Sequence, residues 1–249
     1  MTLFERLSAL AASGDRGVLF TVVEGDAAGS NALVLEGGET LGSAPEDAIG
    51  QADEIIRRGR NRLLVLDDGT KVFAEVYGPP PRLFVYGAVD TAEALCRAAK
   101  HLGWKAIVGD ARAKFATKER IPSADEIIVE WPDEAFAHVA PDHQTAIVVL
   151  THDDKFDEPA LICALASEAF YIGALGSRRN QERRRERLLE AGVEEAALER
   201  IMGPCGLDIG ADTQEETALS ILGEILAVRG QREGGFLKHA KKRIHVEVE

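Results

Sequence analysis

The feature that most constrains the fold is a regular alternation of short apolar runs and helical stretches after Pro81. The apolar runs predict strands at 83–85, 106–108, 126–129, 146–150 and 171–174. The stretches with a helical period predict helices at 91–102, 133–139, 158–167, 178–191 and 213–228. Such alternation is typical of a parallel sheet with crossover helices. Right-handed crossovers would wind it into an open sheet whose ligands bind at the carboxyl ends of the strands.

The first 78 residues predict a separate and smaller α+β domain. Leucines at helical spacing indicate a helix that starts near Leu3 and ends at the residues 13–15. A second helix is predicted over 45–58, with Ser43 and Glu46 in a capping-box pattern at its start. The strands predicted for this domain are 17–23, 31–35 and 63–67.

The segment from Gly78 to Pro81 separates the two halves, because three consecutive prolines form a stiff stretch without backbone donors. We therefore predict an N-terminal domain at 1–78 and a Rossmann-like domain at 82–235. Apolar residues alternate in 243–249, which predicts an added edge strand for the smaller domain. The predicted fold class is α/β, a Rossmann-like doubly wound parallel sheet with a smaller N-terminal α+β domain.

The charge and the cysteine content of the chain argue against several classes of partner and of structural site. The formal net charge of -13 disfavours nucleic acid, because most of the surface would repel phosphates. Three widely spaced cysteines indicate neither a disulfide framework nor a thiolate zinc site, which fits a reducing cytoplasm. No apolar stretch reaches the roughly 20 residues of a membrane span, so we expect no membrane association.

The first strand of the second domain runs into a turn and a helix start, which is where dinucleotides bind. Gly87 can provide the tight turn, and Asp110, with Arg112 beside it, ends the second strand where a ribose-binding carboxylate is expected. The second glycine of the usual pattern is Val89, whose branched side chain obstructs a pyrophosphate, and Asp90 adds negative charge. NAD(P) binding and a turn without a dinucleotide both remain open.

The densest polar cluster follows the fourth strand, in residues 151–157. Thr151, His152 and Asp153 are candidate ligand contacts, and His152 with Asp153 could also move a proton. The alternative is a solvated loop in which Asp157 caps the next helix. No second His or Cys lies nearby at metal-ligand spacing, so no metal site is predicted.

Two further loops carry candidate contacts. Gly176, Ser177, Arg178 and Arg179 follow the fifth strand and open a helix, whose free N–H groups favour an anion. The arginines of 183–187 alternate with glutamates, which indicates a solvated helix face.

The loop before the last helix contains Cys205 and Asp208 among several glycines. Asp208 is a candidate cofactor contact. Cys205 is a candidate catalytic residue or a small apolar filler, since thiolate chemistry needs an electropositive setting.

Five ordered blocks together resemble the XdhC/CoxI family of accessory proteins for molybdenum hydroxylases such as xanthine dehydrogenase. The blocks are PPPRLFVYGAVDTAEAL, VGDARAKFATKERIPSADEIIV, VVLTHDDKFDEPAL, YIGALGSRRN and GPCGLDIGADTQEETALSILGEILA. This chain departs from the family at Val89 and Asp90 of the first turn, and it lacks the GGC motif of the N-terminal domain.

The resemblance implies an accessory protein that binds molybdenum cofactor, assists its sulfuration and inserts it into a hydroxylase. The implied partners are the apo-hydroxylase and a sulfur-donating cysteine desulfurase, and a homodimer is compatible with the sequence. A maturation factor is favoured over a turnover enzyme. Two alternatives stay open: an NAD(P)-dependent oxidoreductase, and a non-catalytic protein that docks a partner.

Overall fold

The computed structural model describes residues 2–151 and 153–241 of the 249-residue chain. The strand predicted at 243–249 and the candidate residue His152 therefore lie outside the described residues. The chain divides into two compact units, Met1–Pro79 with Gly235–Glu249, and Pro80–Gly234.

The first unit is a five-stranded antiparallel sheet, in the order β3-β2-β1-β5-β4, with helices packed on it. Ile55 and Ile56 of one helix pack with Val18 and Phe20 in its main core. The elements are α1 (Leu3–Ser13), β1 (Gly17–Glu24), β2 (Asn31–Leu35), β3 (Thr40–Gly42), α2 (Glu46–Ile49), α3 (Ala52–Arg58), β4 (Arg62–Val65) and β5 (Lys71–Tyr77).

Two details of the first unit correct the sequence predictions. The helix predicted at 45–58 is two short helices, α2 and α3, because Gly50 is a poor helix former and ends the first of them. The capping box predicted at Ser43 is wrong: Pro45 occupies the cap position of α2, and no side chain caps that helix. Since α2 begins at Glu46, Ser43 lies before the cap position, and Glu46 is the first residue of the helix rather than the third.

The second unit contains a parallel six-stranded sheet in the order β11-β10-β9-β6-β7-β8. The strands are β6 (Arg82–Tyr86), β7 (Lys105–Gly109), β8 (Glu126–Ile128), β9 (Thr145–Val149), β10 (Tyr171–Ala174) and β11 (Ile201–Met202). The helices are α4 (Asp90–His101), α5 (Pro132–Val139), α6 (Asp154–Ala166), α7 (Arg178–Glu190), α8 (Glu195–Leu198) and α9 (Gln214–Arg229). This arrangement confirms the predicted Rossmann-like fold class.

Apolar helices cover both faces of this sheet. Leu95 of α4 and Ile221 of α9 belong to the core on one face, while Phe136 of α5 and Leu161 of α6 belong to the core on the other. Every residue of β9 is buried, because this strand lies in the interior of the sheet. Each buried Val or Ile side chain of β9 contributes about 1.5–3 kcal/mol, and the stable sheet fixes the loops at its edge.

A missed strand and the start of one helix are the main differences from the prediction for the second unit. The sixth strand, β11, has only two residues and leaves no periodic signal in the sequence. Helix α6 begins at Asp154 rather than near residue 158, and Pro159 lies inside it. Asp157 is consequently a helical residue and does not cap the helix. None of the helices in the described part of the chain has the length and apolar character that crossing a bilayer requires.

Candidate functional site

The strand order places the change of winding direction between β6 and β9, where ligands of doubly wound sheets usually bind. Gly87 follows β6 at this position with φ +117°, a backbone conformation that favours glycine. A Cβ atom on Gly87 would lie 2.8 Å from the backbone nitrogen of Thr151, in the loop after β9. The glycine therefore allows two loops of the chain to pack together at this point.

Asp110, at the end of β7, is fully engaged within the chain. Its carboxylate accepts hydrogen bonds from the backbone N–H groups of Ala88 and Arg112 and from two guanidinium nitrogens of Arg112, at 2.8–2.9 Å. Burial opposes ionisation of Asp110, but these hydrogen bonds outweigh it and hold its pKa below the ordinary value. A carboxylate has about four acceptor positions. Asp110 thus has none left for a ribose hydroxyl, which weighs against NAD(P) binding.

A cavity of about 200 Å³ lies one strand further along the sheet. Its walls come from the loops after β9 and β10, from the first turn of α6 and from the first three turns of α7. The lining residues used below are Thr151, Asp157, Leu175, Asn180, Arg183 and Arg184. Two of the predicted loops, those after residues 150 and 174, therefore meet at one site.

A buried ion pair forms the floor of this cavity. The Nη2 atom of Arg184 donates to Asp157 at 2.6 Å and to the carbonyl of Leu175 at 3.1 Å. The Thr151 hydroxyl donates to the other oxygen of Asp157, and the Nη1 atom of Arg184 donates to Gln181 at 2.5 Å. The side chains of Arg184 and Asp157 are 6% and 4% exposed. Both charges are therefore desolvated and held in fixed positions.

Arg184 corrects the prediction that the arginines of 183–187 only solvate a helix face. It lies on the buried side of α7, one turn before Leu188, which belongs to the core. The Nε atom of Arg184 is buried and has no hydrogen-bond partner within the described chain. A buried donor without a partner costs about 1–3 kcal/mol or more. Arg184 is thus a cavity-lining residue with one donor that the described part of the chain leaves unsatisfied.

The N-terminus of α7 opens at the same site. Ser177 caps the helix by accepting a hydrogen bond from the N–H of Asn180 at 3.3 Å. The first turn contains Arg178 and Arg179 and no acidic residue, whereas α4, α6 and α9 each have two acids there. Cations are unfavourable at the positive end of a helix dipole. An anion bound at this end would therefore be attracted both by the dipole and by the two arginines.

Arg183 adds an exposed cation to the cavity wall. Like Arg178 and Arg179, it forms no hydrogen bond or ion pair with any other described residue. Arg187 differs, because it pairs with Asp154 at 2.6 Å and with Glu158 at the outer side of the cavity. The site therefore offers the exposed cation of Arg183 to a bound anion, beside the buried guanidinium of Arg184.

The remaining predicted site residues lie elsewhere or have other roles. Asp153 caps α6 by accepting a hydrogen bond from the N–H of Lys155 at 3.1 Å. Asp208 is exposed on the loop before α9, and the cavity walls formed by described residues do not include it. Gly176, with φ +137°, leads the chain from β10 to the cap residue Ser177.

The Cys205 thiol is a poor candidate nucleophile. Burial, together with the charge of Glu224, raises its pKa to about 12, so the thiol stays protonated at neutral pH. Its backbone N–H donates to the carbonyl of Ala174 at 3.2 Å and holds the loop beside the end of β10. This placement favours the filler role.

Comparison with known proteins gives a consistent picture. Residues 83–225 match the family model of the XdhC Rossmann domain. A probable xanthine dehydrogenase subunit of Bacillus subtilis is 31% identical over 163 residues, which are 66% of this chain and 47% of that protein. The molybdenum cofactor insertion chaperone PaoD of Escherichia coli is 29% identical over 157 residues, 63% of this chain and 43% of its own length. This chain spans less than half the length of these curated relatives.

A solved structure shares the fold. The crystal structure of a xanthine dehydrogenase from Bacillus halodurans superposes with a TM-score of 0.69 at 25% sequence identity. The match covers 92% of this chain and 67% of that one. The similarity thus extends over both units.

Proposed function

Because the chain belongs to the XdhC family, we propose that it is an accessory protein for a molybdenum hydroxylase and holds molybdenum cofactor as its cargo. The membership confirms the family resemblance seen in the sequence. The cargo is a pterin with a phosphate, and the cavity between α6 and α7 is the site that we assign to this phosphate. The family and a polar, cationic cavity support the same ligand.

The observation that carries this proposal is the pair of arginines, Arg183 and Arg184, in the wall of a cavity beside the first turn of α7. In our proposal Arg184 donates a hydrogen bond to a phosphate oxygen, Arg183 neutralises the charge, and the N–H groups that open α7 complete the contact. Asp157 and Thr151 orient Arg184 and do not touch the phosphate. These residues bind and position the cargo, and no step of turnover is assigned to them.

The partners follow from the same proposal. The apo-hydroxylase would receive the cofactor, and a cysteine desulfurase would supply the terminal sulfur while the cofactor is held. Since loops at the edge of the sheet form the cavity, both exchanges can occur without unfolding the sheet. These partners remain proposals for this chain.

Cofactor retention tests the proposed function. The chain is mixed with molybdenum cofactor released from a hydroxylase and passed through a desalting column, and the retained pterin is measured as its fluorescent oxidation product. We expect near-stoichiometric retention by the wild type and an affinity at least roughly tenfold lower in Arg183→Ala, because one charge-assisted contact is lost.

Arg185→Ala is the matched control, because Arg185 pairs with Glu195 and Glu199 and does not line the cavity. It should retain the cofactor as the wild type does. Absence of retention by the wild type would contradict the proposal, as would tight binding of NADH that depends on Asp110.

A further inference from the structure

A second polar and aromatic surface adjoins the cavity, on the other side of the first turn of α6. Its centre is Trp131, which follows β8 and remains 44% exposed although it is a large apolar side chain. The Trp131 ring packs on the Phe156 ring, with centroids 5.2 Å apart. We call Trp131, Phe156 and the cations that pack on them the aromatic platform.

Two cations belong to the aromatic platform. The Nζ atom of Lys155 lies 4.7 Å from the centre of the Trp131 ring, and Lys155 is itself exposed. The guanidinium of Arg112 lies 5.4 Å from the centre of the Phe156 ring and 4.6 Å from that of Phe115. Cations over aromatic faces are attracted by the ring quadrupole, and they also supply donors to an acceptor-rich ligand.

The first turn of α6 connects the aromatic platform to the cavity. Lys155 and Phe156 face the platform, while Asp154 and Asp157 line the cavity. Because consecutive residues of one turn contribute to both surfaces, the two surfaces lie on neighbouring sides of this turn, within about the 10–12 Å diameter of a helix with its side chains. A ligand that spans them would have an anionic group at one end and a flat ring at the other.

Within the aromatic platform Phe156 is buried, and Trp131 is the ring that a ligand can contact, because it remains exposed. An exposed tryptophan beside two basic side chains suits a flat heterocycle with acceptor atoms, because the ring stacks and the acceptors meet the cations. A purely apolar partner would leave the charge of Lys155 without compensation, whereas Arg112 is already paired with Asp110. The charge and shape together favour a heteroaromatic ligand.

We propose that the aromatic platform at Trp131 stacks the planar ring of a phosphorylated pterin whose phosphate lies in the cavity beside Arg183 and Arg184. This inference rests on the proposed function, because it takes the pterin as cargo. It adds Trp131 and Lys155, two residues that the sequence did not single out for ligand binding, to the ligand-binding surface. The ring end of the ligand then determines specificity, and the phosphate end anchors it.

Neopterin monophosphate and neopterin are suitable probes, since they share the ring and differ in the phosphate. The chain has two tryptophans, so in a Trp104→Phe background Trp131 is the only fluorophore of this kind. We expect saturable quenching of Trp131 fluorescence by neopterin monophosphate and weaker quenching by neopterin. Calorimetry on the chain with both tryptophans present measures the same affinities without substitution.

Variants separate the two ends of the ligand. Trp131→Ala should weaken both probes by about 5- to 150-fold, the range that loss of one stacked base gives. Trp131→Phe should restore most of the affinity. Arg183→Ala should weaken neopterin monophosphate only, and Leu219→Ala, which removes an exposed apolar side chain elsewhere on the unit, should change neither.

The outcomes distinguish this inference from the proposed function. If the wild type retains molybdenum cofactor and Trp131→Ala retains it equally well, the inference is overturned and the function stands. If cofactor is not retained but neopterin monophosphate binds in a Trp131-dependent manner, the inference stands without the function. Failure of both probes to bind overturns the inference.

Discussion

Arg184 and Arg183 are neighbours in the sequence with opposite environments. Arg184 is 5% exposed and paired with Asp157, whereas Arg183 is exposed on the cavity wall. Breaking a buried pair leaves one desolvated charge behind, while removing an exposed charge does not. The two residues should therefore contribute differently to stability and to binding.

We predict that Arg184→Met lowers the free energy of unfolding by about 3–5 kcal/mol, because Asp157 stays buried without its partner. Arg183→Ala should change it by less than about 0.5 kcal/mol. Urea unfolding followed by circular dichroism measures both. The double variant Arg184→Met with Asp157→Leu should recover much of the loss, and equal destabilisation by the two single arginine variants would contradict this prediction.

The sequence predicted which loops form the cavity better than it predicted which individual side chains line it. Thr151 and the residues from Gly176 onward were expected to face a ligand, and Thr151 does line the cavity. Arg184 was missed because it stands in a run of arginines, and composition does not separate the buried one from its neighbours. Its spacing of four residues from Leu188 was the available signal.

In helix α7, the residues that favour anion binding reduce the stability of the helix itself. Its first turn places Arg178 and Arg179 at the positive end of the dipole. This arrangement destabilises the free helix slightly, and it attracts an anion to the cavity. A change that improves the helix by itself should therefore impair the site.

Arg179→Glu tests this opposition. We predict that it raises the free energy of unfolding by about 0.3–1 kcal/mol without ligand, because an acid at the first turn complements the dipole. The same variant should bind neopterin monophosphate more weakly than the wild type. Chemical denaturation and calorimetry measure the two effects, and Arg179→Gln should lie between wild type and Arg179→Glu in both. A loss of stability in Arg179→Glu would argue against the dipole account.

Elements with a long run of apolar residues could be predicted from the sequence, and elements without such a run could not. Five of the six described strands of the second unit were predicted because their apolar residues form continuous runs, as in β9. β5 contains Lys71 and Glu75, and β11 has two residues, so neither presents such a run. The early start of α6 was missed because Asp153, its cap, lies within a polar cluster that also suits a loop.

At the scale of the whole molecule, the chain consists of two units that each enclose an apolar core. The cavity and the aromatic platform both belong to the unit Pro80–Gly234. None of the described contacts of the cavity or of the aromatic platform involves a residue of the other unit. The binding properties should therefore reside in this unit.

We predict that the fragment 80–234 folds cooperatively and binds neopterin monophosphate within about threefold of the intact chain, a difference of about 0.7 kcal/mol. Its two buried cores cover both faces of the sheet, which is sufficient for an independent domain of this size. Thermal unfolding and calorimetry measure these properties. A fragment that fails to unfold cooperatively, or a folded one that binds far more weakly, would show that the site depends on the other unit.

The close packing of Gly87 against Thr151 has a consequence for selectivity. Adenine and nicotinamide nucleotides compete for any protein with this architecture, and their usual binding position lies above the turn after the first strand of the sheet. Here Gly87 in that turn packs closely against the backbone of Thr151, and Asp110 is occupied by Arg112. Discrimination between ligands depends on rejecting the wrong one as well as on holding the right one. We therefore expect the packed turn and the paired Asp110 to disfavour common nucleotides and to leave the neighbouring cavity to a rarer ligand.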